Sequence, residues 1–187
     1  MKKKNVLVMG LSMALVAVIS IGGTLAFMTA SDEKVTNTFK FANDIAVTLH
    51  EDEPDATGDE TITPNGKGFA YENVVPGQEL NKAPEFTVTT EVDAYVFARV
   101  TPGENMTIGA ITTGWTELEG VDNVWYKEVT GQVGVQDLGT LFTKVTVGDV
   151  ELSGTENLGN ITIEVAAIQK SGFDTPAAAY AEAKFQA

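Results

Sequence analysis

The 187-residue chain has no cysteine. That excludes a disulfide framework and every thiolate-based metal site. Histidine occurs once, at His50, which removes most zinc sites and leaves a single possible base for a nucleophilic triad. Basic residues are scarce, with 12 Lys+Arg against 26 Asp+Glu and a formal net charge of −14. Such a surface repels phosphate backbones, so nucleic acid is not an expected partner. No G-x-S-x-G elbow, phosphate loop or carboxylate pair at informative spacing occurs. The expectation is therefore a non-enzyme with no catalytic residues, no cofactor and no metal.

What is present divides at residue 26. Lys2, Lys3 and Lys4 open the chain, and no charge follows until Asp32. The apolar run between them, broken by Gly22-Gly23, ends in "TLA". Thr24 and Ala26 are the small residues a signal peptidase reads, so residues 1–26 are expected to be a signal peptide cut between Ala26 and Phe27. The run is also long enough for a membrane anchor, and an uncleaved leader would be the chain's only contact with a membrane. Cleavage leaves 9 Lys+Arg against 26 Asp+Glu, a net charge of −17.

The chain from 27 to 187 reads as one all-β domain. Thr36 to His50 alternates, with Phe39, Phe41, Ile45, Val47 and Leu49 on one face and Asn43 as the polar intruder. That is the pattern of a half-buried strand. Residues 51–68 are acidic and rich in turn formers, and are expected to be a solvated loop. Its Asp52, Asp55 and Asp59 do not follow the spacing of an EF-hand calcium loop. Pro76-Gly77 predicts a type II turn. Asp93 to Val100 is apolar on both faces, as a central sandwich strand is. Shorter strands are expected near 106–112, 114–117, 124–129, 133–137 and 141–147, with a last one over 161–168. Turn signals at that spacing predict a β-sandwich. Residues 174–186 predict a short helix, N-capped by Thr175 with Pro176 in its first turn and docked through Phe173, Tyr180 and Phe185.

Three further features have plain readings. His50 is expected at a strand end on the surface, because no second histidine stands at helical spacing. Arg99, the only arginine, lies in an apolar strand and requires a carboxylate partner that the sequence does not name. Trp115, Trp125 and Tyr126 form an aromatic group; packing is the default and sugar stacking the alternative.

Four blocks, in order, carry a resemblance. "GGTLAFMTASDEKVTNTFKFANDIAVTLHE" is similar to the start of Gram-positive proteins exported through the SipW-type signal peptidase. "VVPGQELNKAPEFTVTT…DAYVFARV", "GWTELEGVDNVWYKEV" and "IQKSGFDTPAAAYAEA" resemble later blocks of the Clostridium-like branch of that family, the TasA/camelysin-like proteins. The resemblance implies a jelly-roll β-sandwich that is secreted to the matrix or surface of a Gram-positive bacterium. It implies a homo-oligomeric biofilm fibre in which residues 27–49 of one subunit, carrying Phe39, Phe41, Ile45, Val47 and Leu49, complete the sheet of the next. The camelysin-like members imply an alternative, a cell-surface metalloprotease. A monomeric adhesin is a third reading.

Overall fold

The computed structural model describes residues 45–149 and 158–185. The leader, the Ala26–Phe27 cleavage position, Phe39 and Phe41 lie outside the described residues. Among the described residues, twelve strands and one helix follow in order: β1 Ala46–His50, β2 Thr61–Asn65, β3 Gly68–Glu72, β4 Glu79–Asn81, β5 Glu85–Thr90, β6 Ala94–Thr101, β7 Met106–Ile108, β8 Thr116–Glu117, β9 Val124–Val129, β10 Gln132–Thr140, β11 Lys144–Val147, β12 Thr162–Gln169 and α1 Pro176–Glu182. All pairings among the strands are antiparallel.

The fold is an all-β sandwich with a short C-terminal helix. One layer pairs β1 with β5 and β5 with β10, and continues as β4, β11 and β7. The two parts share one ladder: the register Thr140↔Glu85 resumes as Lys144↔Asn81 beyond a short break. Pro84 explains the break, since it has no N–H to donate. The ladder is bridged there by Leu141 N–H to Pro84 O and Lys82 N–H to Thr143 O. The second layer has the order β12-β6-β9-β8. With β4–β5 and β10–β11 each taken as one strand, the inner orders match a jelly roll. β1 departs from it, lying beside β5 rather than β12.

β6 is the spine. Val96, Ala98 and Val100 enter the core between the layers, together with Phe86, Val88, Leu141, Phe142 and Val145. Tyr95 and Phe97 face the other way and pack with Ala179, Tyr180 and Phe185 of the C-terminal segment. Thr175 caps α1 by accepting from Ala178 N–H at 3.2 Å. Trp115 and Trp125 are buried in the core, with Trp115 edge-on to Phe86 at 5.0 Å between centroids. That is the packing reading of both residues, and Tyr126 packs on the helix side against Tyr95.

One expectation needs correction. Residues 51–68 are not a continuous loop: β2 and the start of β3 lie within them, paired from Thr61↔Glu72 to Asn65↔Gly68. Gly66 takes φ 64° at the first central position of the two-residue turn, where a type II′ hairpin requires glycine.

Candidate assembly groove

β1 pairs only with β5, and β12 only with β6, among the described residues. Each is an edge of its layer. A groove of about 1150 Å³ runs between them. Ile45, Val47 and Leu49 line one wall, and Ile161, Ile163, Val165 and Ala167 the other. These side chains are half-buried, whereas their ladder neighbours Phe86, Val88, Val96, Ala98 and Val100 are at most 2% exposed. The difference arises because β6 has strands on both sides and β12 has one. Sheet edges carry a row of unpaired N–H and C=O groups, and apolar walls beside them are an arrangement that accepts a further strand.

One end of the groove is polar. Glu51 continues the inward alternation of Val47 and Leu49, and its side chain is 6% exposed. Its Oε2 accepts from Lys82 Nζ at 2.6 Å, while its Oε1 is buried without a partner. Tyr71, on the same lining, donates to Asn81 O at 2.7 Å. Burial first, then the carboxylates Glu51 and Glu60, push its phenol well above the ordinary range. Lys67 and Lys184 stand exposed on the rim.

The acidic stretch beyond β1 is tied down by Glu60. It accepts from Thr57 N–H, from Thr57 Oγ1 at 3.0 Å and from Gln78 Nε2 at 2.7 Å. The Thr57 N–H is the main reason its carboxyl is held at about 2. The residue is buried, so this carboxylate is a clasp rather than solvated surface charge.

His50 ends β1 at the surface, as expected, with Nε2 3.2 Å from Glu85 Oε2, its partner in the ladder. Asp52 joins them, and one ligand atom from each of the three lies within 4.8 Å of the others. This group could hold a divalent ion. A search for a second histidine along the chain cannot find it, because Glu85 arrives across the ladder. Arg99 meets Glu164, opposite it in the β6–β12 ladder, through two bonds of 2.8 Å. Its guanidinium lies 4.4 Å from the Phe185 ring centroid. The hydrogen-bonded partner is the main cause of both shifts: Arg99 is raised and Glu164 lowered.

The structure thus brings Ile45, Val47 and Leu49 onto the groove wall, but pairs them within their own subunit: Val47 opposite Val88 and Leu49 opposite Phe86. The rest of the candidate donor segment, residues 27–44, lies outside the described residues. Glu51 stands in the stretch expected to be a solvated loop, and Lys82 carried no expectation. The signal that places them inside is alternation carried two residues further, Leu49 to Glu51 and Leu80 to Lys82. No family model matches the chain, and no curated protein is significantly similar to it.

Proposed function

We propose that the protein is a secreted structural subunit that self-assembles into extracellular fibres of a biofilm matrix or bacterial surface. Residues 27–44 of one copy lie in the groove of the next. The observation that carries this reading is the seam between β1 and β12, where each strand, among the described residues, pairs along one edge only and half-buried apolar side chains line the groove on both sides. The sequence supplies a matching strand in the same chain, with Phe39 and Phe41 alternating with polar residues. Release of the leader by a SipW-type signal peptidase frees that strand to leave the membrane. Electron microscopy of chain beginning at Phe27 tests the reading. Filaments are expected, favoured by salt or mild acid because each subunit carries −17. Monodisperse particles under every condition would reject it.

The camelysin-like alternative has one point of support, the His50–Asp52–Glu85 group. Zinc-dependent hydrolysis of casein that disappears in His50→Ala would favour it. The open, solvated position of the group favours the fibre instead, because catalytic metals work in shaped cavities that exclude water.

A further inference from the structure

Among the described residues, five carboxylates form ion pairs. Four of them face a lysine or arginine: Glu51 with Lys82, Glu164 with Arg99, Glu79 with Lys144 and Glu128 with Lys170. The fifth, Glu85, faces the imidazole of His50, and Asp52 stands beside the same ring with no lysine or arginine of its own. Two carboxylates thus share one imidazole, and negative charge is left unbalanced there. The fold brings the three side chains together. His50 and Glu85 lie opposite each other in the β1–β5 ladder. Glu51 is held inward by Lys82, and its neighbours His50 and Asp52 are exposed on the other side of the chain.

We propose that His50, Asp52 and Glu85 form a structural site for one divalent ion of the zinc class, which clips the end of β1 to β5. Imidazole nitrogen and carboxylate oxygen are the donors such ions take. Calcium fits less well, since it seeks six or more oxygens. The spacing suits zinc. Two donors bound at ~2.0–2.1 Å in a tetrahedral site stand ~3.3 Å apart, and His50 Nε2 and Glu85 Oε2 are already 3.2 Å apart. An oxygen of Asp52 lies within 4.8 Å of both, and this exposed side chain has room to close the difference. Water completes the coordination. The ion adds a tie where β1 has few: among the described residues β1 pairs along one edge only, and the acidic stretch begins where it ends. The site stands apart from the fibre reading and does not depend on it.

Zinc chloride titrated into the full chain in a non-chelating buffer, followed by calorimetry and by thermal unfolding, tests the site. The wild-type chain is expected to bind one equivalent saturably and to melt at a temperature that rises with zinc concentration. His50→Ala and Glu85→Gln are expected to weaken that binding at least about tenfold. Without metal both should melt close to wild type, because the pair they break is exposed. Asp59→Asn removes a carboxylate of the same acidic stretch outside the group, and is expected to bind zinc as wild type does. Absence of zinc binding by the wild-type chain overturns the site. An equal zinc response in wild type and His50→Ala also overturns it, since that is diffuse attraction to a chain of net charge −14. Loss of binding in Asp59→Asn, or a calcium response as large as the zinc response, overturns the assigned ligands. Hydrolysis of casein by the zinc-loaded chain overturns the structural role in favour of the camelysin-like reading.

Discussion

If the seam accepts a strand, polar substitutions on its β12 wall must affect assembly far more than folding. Ile163 and Val165 are the positions to change, to threonine in both cases, which keeps a β-branched side chain suited to a strand. Full burial of an Ile or Val side chain is worth about 1.5–3 kcal/mol. Both residues are half-buried in the subunit, so about 1 kcal/mol of that remains for assembly at each position. An enclosed hydroxyl without a partner adds about 1–3 kcal/mol. Together the two changes should weaken assembly by about 4–8 kcal/mol, about a thousandfold or more in critical concentration at 1.4 kcal/mol per decade. The isolated subunit loses only the half of the burial it already has, about 1–2 kcal/mol, and its melting temperature should fall by about 3–8 °C. The assay is paired: sedimentation of filaments against concentration, and thermal unfolding in dilute solution. Val133→Thr and Val135→Thr on β10 serve as controls, since these valines are 87% and 71% exposed and lie away from the seam. A double variant that melts earlier but assembles at the wild-type concentration would refute the seam as acceptor.

The remaining predictions concern the subunit. Arg99→Met should cost about 1–2 kcal/mol, combining a partly exposed bidentate pair with the contact over Phe185; a double-mutant cycle with Glu164→Gln in urea should show coupling that shrinks with salt, and additivity would deny the pair any role. Gly131→Ala should destabilise by about 1–3 kcal/mol, because its Cβ would fall 2.5 Å from the backbone C and O of Glu91; an unchanged urea midpoint would show that the β9–β10 turn yields freely. The Glu60 carboxyl is lowered from 4.5 to about 2 in the fold, so the stability it contributes is present above pH 4.5 and is lost as pH falls towards 2. Glu60→Gln should therefore lower the urea midpoint at pH 7 and flatten its fall across that window; parallel curves for the two proteins would contradict the assignment. His50→Ala should change stability by less than about 0.5 kcal/mol, because its pair with Glu85 is solvent-exposed; a larger loss in thermal unfolding would show that the imidazole supports more than a surface pair.

Some elements could be read from the chain because a local rule settles them. The Pro76-Gly77 turn is one: Gly77 has φ 74°, and Gln78 N–H donates to Val75 O at 3.1 Å. The two-faced burial of β6 is another, since alternate residues are apolar in both phases. The strand Val124–Val129 and the Thr175 cap fall in the same class. What stayed hidden depends on partners distant in sequence. Glu164 meets Arg99 only through the β6–β12 register, 65 residues apart. The β2–β3 hairpin was masked by its composition, since "TITPNGKG" reads as turn residues and only the pairing shows two short strands flanking Gly66-Lys67. The groove is a product of topology: alternation marks Val47 and Leu49 as inward-facing, but only the ladders show that β1 pairs with β5 and not with β12.

The contrast between β6 and the two seam strands has a consequence for durability. β6 is paired along both edges and covered on both faces, so its amides should exchange with deuterium only when the whole subunit unfolds. Among the described residues β1 and β12 each pair along one edge only and should open locally, at much lower free energy. Under the proposed function, a free subunit is thus most vulnerable to proteases along the two strands that border the seam. Occupying the seam would turn those strands into interior ones and remove the easiest route to cleavage. Resistance to digestion would then increase with polymerisation, without any change in the stability of the core.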